Sequence, residues 1–172
     1  MRSLDAAAPF DIRPAGRSDV PAIHALIRAL AEYEKLVHLC VVTERDLEAA
    51  LFGTRPAAEA LLAWRDGVAV AYALFFPSFS TFLGRSGLWL EDLFVQPAYR
   101  RQGCAKALLR TLAGIAVERG CGRFEWAVLD WNAPAIDFYR ALGATVLPDW
   151  RITRVTGEAL VGLAAQPKFG DA

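Results

Sequence analysis

The sequence predicts an α/β domain built around a central mixed, mostly antiparallel sheet flanked by helices. Asp66-Gly67 supplies a tight turn between two apolar runs, which is typical of an antiparallel β-hairpin. Farther along, an apolar strand at 88–96, an amphipathic helix from Gly103 to Arg119 and a strand at 123–129 form a β–α–β passage. Such a passage is a right-handed crossover between parallel strands, so the chain contains both kinds of pairing.

The elements before the hairpin follow from local signals. The segment PFDIRPA predicts a first short strand. Ser18 is a candidate N-cap for a helix that runs to about Tyr33, with apolar residues at helical spacing. Thr43 followed by Asp46 resembles a capping box and predicts a second helix to about Phe52.

The C-terminal third is predicted in the same way. Gly120 is a candidate C-cap for the crossover helix. Asn132 can cap a further helix that has Pro134 in its first turn and ends at Gly143. Segment 150–156, WRITRVT, predicts a last strand, and the following GEALVGLAA predicts a short terminal helix.

Length and composition predict one domain at 9–166, with a tail at 1–8 and another at 167–172. The 19 basic and 19 acidic residues give a net charge of zero, which argues against broad binding to nucleic acid or to anionic membranes. The start of the chain, MRSLDAAAPF, is unlike a signal peptide, and we therefore expect a cytoplasmic protein. Three widely spaced cysteines and two histidines predict no disulfide framework and no metal site.

A short basic loop, Arg100–Lys106, stands between the 88–96 strand and the crossover helix. Its small residues allow a ligand to approach the main chain, and the helix N-terminus favours an anion such as pyrophosphate. A surface turn with solvated arginines explains the same residues equally well. Cys104 has no histidine near it in the sequence, which favours an inert thiol over a nucleophile.

Two adjacent carboxylates, Glu91 and Asp92, interrupt the apolar strand. Strand alternation places them on opposite faces of the sheet. A carboxylate in an apolar setting has a raised pKa, which suits a general base. The alternative is structural, with Asp92 capping a bulge and Glu91 in a salt bridge. Tyr139 can likewise be a proton donor or a core aromatic residue.

Four segments in order resemble the GCN5-related N-acetyltransferase superfamily, and within it the diamine (spermidine/spermine) N-acetyltransferase branch. The superfamily loop, Arg/Gln-x-x-Gly-x-Gly/Ala, is matched at Arg100, Gly103 and Ala105. The four segments are IRPAGRSDVPAIHALIRALAEYEKL, LEDLFVQPAYRRQG, WNAPAIDFYRALGA and DWR. The resemblance covers the chain from about Ile12 to Ala165.

The resemblance implies a sheet that splays open between the strands at 88–96 and 123–129, where the pantetheine of acetyl-CoA lies. It implies an acetyl-CoA-dependent transfer to a primary amine of a small molecule such as a polyamine, a diamine or thialysine, by direct attack in a ternary complex. It also implies a homodimer. The implied cofactor contacts are Leu93, Phe94, Val95, Arg100, Arg101, Gln102, Gly103, Cys104, Ala105, Lys106, Asn132, Ala133, Pro134 and Ala135.

The resemblance also implies catalytic roles. Tyr139 would protonate the leaving thiolate, and Glu91 would accept the proton of the amine. The implied amine contacts are Tyr33, Glu34, Glu91, Asp92, Glu125, Trp126, Ala127, Asp149 and Trp150. The rival interpretations are an N-acetyltransferase that acts on proteins or peptides and a non-catalytic acyl-CoA-binding module.

Overall fold

A computed structural model describes residues 10–165. The chain divides into two compact units, Met1–Ala127 and Val128–Ala172. The predicted single domain at 9–166 stays a prediction, and the predicted tails at 1–8 and 167–172 lie outside the described residues.

The first unit is built on a five-stranded sheet in the order β1-β2-β3-β4-β5. The three pairings from β1 to β4 are antiparallel, and β4 pairs with β5 in parallel, so the predicted mixed sheet is confirmed. The strands are β1 Asp11–Pro14, β2 Glu59–Arg65, β3 Val68–Ser80, β4 Arg85–Val95 and β5 Phe124–Trp126.

Within residues 10–165, three α-helices belong to the first unit and two to the second. They are α1 Val20–Tyr33, α2 Glu44–Phe52, α3 Cys104–Glu118, α4 Ala133–Ala141 and α5 Gly157–Ala164. The α2 capping box is confirmed, because the Thr43 hydroxyl accepts a hydrogen bond from Asp46 N–H and the Asp46 carboxylate accepts one from Thr43 N–H. The β2–β3 turn is confirmed as well, with positive φ at both Asp66 and Gly67.

Helices cover both faces of the sheet. On one face, α1 and α2 pack against the sheet around a core whose members come from five elements. They are Val20, Ile23, Leu26, Leu47, Leu51, Leu62, Tyr72 and Phe94, together with Ala60 and Ala69. On the other face, α3 contacts β2, β3 and β4 and buries Leu108, Leu109 and Leu112.

Two predicted boundaries need correction. Helix α1 begins at Val20, and Asp19 rather than Ser18 stands at its N-cap. The Asp19 carboxylate accepts a hydrogen bond from Gly16 N–H at 2.8 Å, which closes a 3-10 turn ahead of the helix. The strand predicted at 123–129 is shorter, since only 124–126 pair with β4.

The strand predicted at 150–156 is wrong. This segment has no regular structure, and Trp150, Ile152 and Val155 are exposed. A β-branched, alternating sequence forms a strand only when a partner strand takes up its backbone hydrogen bonds. The terminal helix predicted after it is confirmed as α5.

Candidate active site

In strand β4, the alternation of side chains between the two faces of the sheet shifts at Glu91. Leu90 is paired with Phe75 and Asp92 with Leu74, so Glu91 has no counterpart on β3 and forms a β-bulge. Paired residues on neighbouring strands point to the same face of the sheet, and the adjacent residues Leu74 and Phe75 point to opposite faces. Asp92, which is paired with Leu74, therefore points to the face opposite Leu90. The expectation that alternation separates Glu91 and Asp92 is therefore wrong.

Both carboxylates line one cavity in the first unit. Its volume is about 560 Å³, and α1, α2, the segment between them and β4 contribute to it. Among the described residues that line it, none is basic and four are acidic. The lining consists of Ile27, Leu30, Ala31, Glu34, Leu36, Leu39, Cys40, Val41, Val42, Asp46, Glu91 and Asp92. Aliphatic walls with several carboxylates suit a cation that has a hydrocarbon body.

Asp92 accepts a hydrogen bond from a tyrosine of β3. The Tyr72 side chain is fully buried, and its hydroxyl donates a hydrogen bond to Asp92 Oδ2 at 3.0 Å. Burial raises the pKa of Asp92 to about 6, and the negative charges of Glu91 and Glu34 act in the same direction. The hydrogen bond from Tyr72 acts in the opposite direction, because it favours the charged carboxylate.

Glu91 is placed differently. It is exposed, and its Oε2 accepts a hydrogen bond from the indole Nε1–H of Trp89 at 2.9 Å. Residues two apart on a strand share a face, which explains why this pair meets. Glu91 therefore sits at the edge of the cavity with one oxygen already bonded, while Asp92 lies deeper.

Predicted amine contacts in the first unit divide into two groups. Glu34 at the end of α1 lines the cavity with Glu91 and Asp92, and burial raises its pKa. The others do not line it. Glu125 pairs with Arg123, Trp126 packs beside Phe124 with ring centres 5.0 Å apart, and Tyr33 lies under the guanidinium of Arg100.

Strand β4 is half open on the β5 side. Leu88–Leu90 are paired with β5, whereas β4 continues to Val95 with β3 as its only partner strand among the described residues. Past Leu90, this edge of β4 has backbone groups available for an extended ligand, in the manner of an added strand. The splay predicted between the strands at 88–96 and 123–129 agrees with this short ladder.

The loop that follows β4 leads into an open helix N-terminus. Gly103 stands at the N-cap of α3 with φ +87°, and no side chain caps the helix. The first N–H groups of α3 are therefore available to an anion, beside the exposed cations of Arg101 and Lys106. Cys104 is buried, and burial raises the pKa of its thiol to about 11, which agrees with an inert thiol.

Two side chains of the basic loop have partners within the protein. Arg100 donates from Nε to the Val95 carbonyl at 2.9 Å, and its guanidinium lies 4.3 Å from the Tyr33 ring centre. Gln102 accepts a hydrogen bond from Arg65 and donates one to the Ala98 carbonyl at 3.0 Å. These contacts shape the loop, and they leave Arg101 and Lys106 as its outward cations.

The second unit carries the remaining predicted residues. The Asn132 side chain accepts a hydrogen bond from Ala135 N–H, and Pro134 lies in the first turn of α4, so the predicted helix start is confirmed. Burial raises the pKa of Tyr139, which keeps its phenol protonated as a proton donor requires. Asp149 and Trp150 are both exposed in irregular structure.

Sequence reasoning missed Tyr72 and much of the cavity wall. A signal for Tyr72 exists, because it is the one hydroxyl in the apolar run VAVAYALFF and a buried phenol needs a partner. No sequence signal identifies Cys40 or Val42 as neighbours of β4. Within residues 10–165 the structure contains no cluster of three potential metal ligands, and no helix there has the length and apolar character to cross a membrane.

Comparison with known proteins identifies the family. The sequence profile of the acetyltransferase (GNAT) family matches residues 24–144. The chain belongs to this family. Its predicted membership, its α/β fold and its N-acetyltransferase activity are thereby confirmed, and acetyltransferases of this family use acetyl-CoA as co-substrate.

Two relatives match nearly the whole chain. Thialysine N-epsilon-acetyltransferase of Bos taurus is 39% identical over 166 residues, covering 90% of this chain and 97% of that protein. L-ornithine N5-acetyltransferase NATA1 of Arabidopsis thaliana is 36% identical over 195 residues, covering 87% of this chain and 85% of that protein. Both proteins are small-molecule N-acetyltransferases by name.

Solved structures share the fold at lower identity. An integron cassette protein of V. cholerae superposes with a TM-score of 0.79 at 22% identity, covering 92% of this chain and 99% of that protein. An aminoglycoside acetyltransferase from a soil metagenomic sample superposes with a TM-score of 0.73 at 18% identity, covering 86% of this chain and 96% of that protein. These likenesses concern the fold.

Proposed function

We propose that this N-acetyltransferase acetylates a primary amine of a small molecule that binds in the cavity of the first unit. The observation that carries the proposal is the cavity lining, in which Glu34, Glu91 and Asp92 meet aliphatic side chains. An alkyl ammonium ion fits this lining on both counts, because its charge meets carboxylates and its chain meets hydrocarbon. The thialysine and ornithine acetyltransferase relatives support an amine as the acceptor.

Acetyl-CoA supplies the acetyl group as a thioester. The residues present fit it in two places. The unpaired edge of β4 at Leu93, Phe94 and Val95 offers backbone groups to an extended pantetheine chain, and the open start of α3 offers N–H groups to a pyrophosphate. At Gly103, the space where a Cβ would stand is open to 4 Å, so a ligand can approach the main chain there.

The roles of the catalytic side chains follow from the resemblance and stay proposals. A carboxylate of the cavity accepts a proton from the bound ammonium, since only the neutral amine attacks a carbonyl carbon. The resemblance favours Glu91 for this step. Tyr139 donates its phenolic proton to the departing thiolate, and Asn132 to Ala135 contribute to binding the co-substrate. The cytoplasmic location and the homodimer also stay predictions from the sequence.

The test is release of free thiol from acetyl-CoA in the presence of single amines. The panel contains polyamines, a diamine, thialysine, ornithine, an aminoglycoside and a lysine peptide. We expect turnover with a small alkyl amine, and a Glu34→Gln variant should have a higher KM for that amine, because one carboxylate of the cavity is neutral. Glu48→Gln on the surface of α2 is the matched control and should retain the wild-type KM.

Two outcomes contradict the proposal. Turnover confined to the peptide would favour a protein acetyltransferase, which needs a groove rather than a small cavity. Tight binding of CoA without turnover of any amine in the panel would favour the acyl-CoA-binding module.

A further inference from the structure

Asp92 has the better position of the two adjacent carboxylates for taking a proton. Past the bulge at Glu91, Asp92 points to the face of the sheet that carries Tyr72 and Phe94, towards α1. There it lines the cavity, and only its Oδ2 is bonded to Tyr72. Oδ1 remains available for a ligand in the cavity, since a carboxylate has about four acceptor sites.

Tyr72 fixes this carboxylate in place. Its side chain is fully buried in the core beneath the cavity, so its hydroxyl has a single defined position. Burial also raises the pKa of Tyr72, which keeps the phenol protonated and leaves it to act as a donor. Glu91 likewise has one bonded oxygen, to Trp89, but it is exposed, whereas Asp92 is partly buried.

We propose that Asp92 accepts the proton of the substrate ammonium and that Tyr72 is the positioning residue that holds Asp92 for this step. The inference rests on the proposed acetylation of an amine in this cavity. Glu91 then keeps its negative charge at the cavity edge and attracts the ammonium ion. In the transfer, one N–H bond of the ammonium breaks and a proton moves to Asp92 Oδ1. The electron pair stays on nitrogen, which is then able to attack the thioester carbonyl.

Burial, together with the negative charges of Glu91 and Glu34, makes Asp92 a stronger base than an ordinary carboxylate. Glu34 faces it from the end of α1, Glu91 from its own strand, and Asp46 and Cys40 line the same cavity. None of the described lining residues is basic. Burial and the neighbouring negative charges raise the pKa of Asp92 to about 6, so the group is charged at neutral pH and still holds a proton more tightly than usual.

The experiment is the pH profile of kcat/KM, which reports the groups of the free enzyme, for one amine in four forms of the protein. The wild type should gain activity as the pH rises through about 6. Tyr72→Phe removes a donor to the charged carboxylate, so this rising limb of the pH profile should move to higher pH by roughly half a unit to one unit. Glu91→Gln removes a nearby negative charge, so the limb should move to lower pH while activity persists. Asp92→Asn should lose the limb and lower kcat about a hundredfold or more.

The opposite shifts of the limb in Tyr72→Phe and Glu91→Gln distinguish a role in proton transfer from a purely structural role. The amine is the same in all four forms, so its own titration does not move, and a purely structural effect of Tyr72→Phe would lower kcat without shifting the limb. The inference is refuted if Glu91→Gln abolishes the limb while Asp92→Asn keeps it, or if Tyr72→Phe leaves the limb unchanged. If Asp92→Asn fails to fold, the shifts of the other two variants decide.

A direct titration keeps this inference distinct from the proposed function. Carbon-13 NMR of labelled Asp92 carboxyl reports its pKa without turnover, and Tyr72→Phe should raise it. Absence of turnover with every amine refutes the proposed function even if this titration behaves as expected. Turnover in an enzyme whose Asp92 pKa is unaffected by Tyr72→Phe refutes the present inference alone.

Discussion

Asp92→Asn should make the protein more stable at neutral pH. The pKa of this carboxyl rises from 3.8 in the ordinary case to about 6 in the folded protein, chiefly because of burial. Between these pH values the unfolded chain has already lost the proton that the folded protein retains. The free energy of unfolding of the wild type therefore falls by about 1.4 kcal/mol for each pH unit across that window.

The total penalty follows from the width of the window. From 3.8 to about 6, it amounts to about 2–3 kcal/mol, fully present above the folded-state pKa and absent below the unfolded-state value. An asparagine has no charge to desolvate, and its amide oxygen can still accept the Tyr72 hydrogen bond. The variant should thus match the wild type near about pH 4 and exceed it by about 2–3 kcal/mol near about pH 7.

Urea unfolding followed by circular dichroism, at several pH values across this window, measures the difference. Glu48→Gln is the control for removal of a carboxylate, since Glu48 is a surface residue paired with Arg17, and it should change stability by less than about 1 kcal/mol. A difference between wild type and Asp92→Asn that is independent of pH would refute the reasoning. A less stable Asp92→Asn variant at neutral pH would refute it as well.

Three further changes have defined outcomes. Gly103→Ala forces a side chain into a left-handed backbone position and should raise the Kd for CoA, measured by calorimetry, severalfold. The control Gly114→Ala, on the open surface of the same helix, should leave this Kd unchanged and raise the melting temperature. Equal Kd values for the two variants would contradict the role of the loop. Thr43→Ala removes the α2 cap and should lower the free energy of unfolding by about 1 kcal/mol in urea, and an unchanged value would show that the cap contributes nothing. Tyr139→Phe should lower kcat by about ten- to a thousand-fold with little change in CoA binding, and wild-type turnover would remove Tyr139 from the mechanism.

Local signals in the sequence predicted local structure well. The capping box at Thr43, the turn at Asp66-Gly67, the cap at Asn132 and the left-handed Gly120 all have the expected geometry. In each case the interacting residues lie within four positions of one another, so a short stretch of sequence is enough to predict the interaction.

Features that depend on distant residues were less accessible. The segment 150–156 has the composition of a strand, yet pairing requires a partner that no local pattern reveals. The meeting of Glu34 with Asp92 was implied by the family resemblance and is now visible as a shared cavity wall. The contact between Tyr72 and Asp92 was not foreseen, because it depends on a register 20 residues apart.

The extra residue at position 91 divides β4 into two halves in which the even-numbered residues point to opposite faces of the sheet. Before it, the even-numbered residues Leu88 and Leu90 point to the face that α3 covers; after it, Asp92 and Phe94 point to the opposite face. If Glu91 were deleted, Asp92 would follow Leu90 directly and would still stand opposite Leu74, on the face that it occupies now. The extra residue therefore brings a second carboxylate to the cavity and leaves the face of Asp92 unchanged.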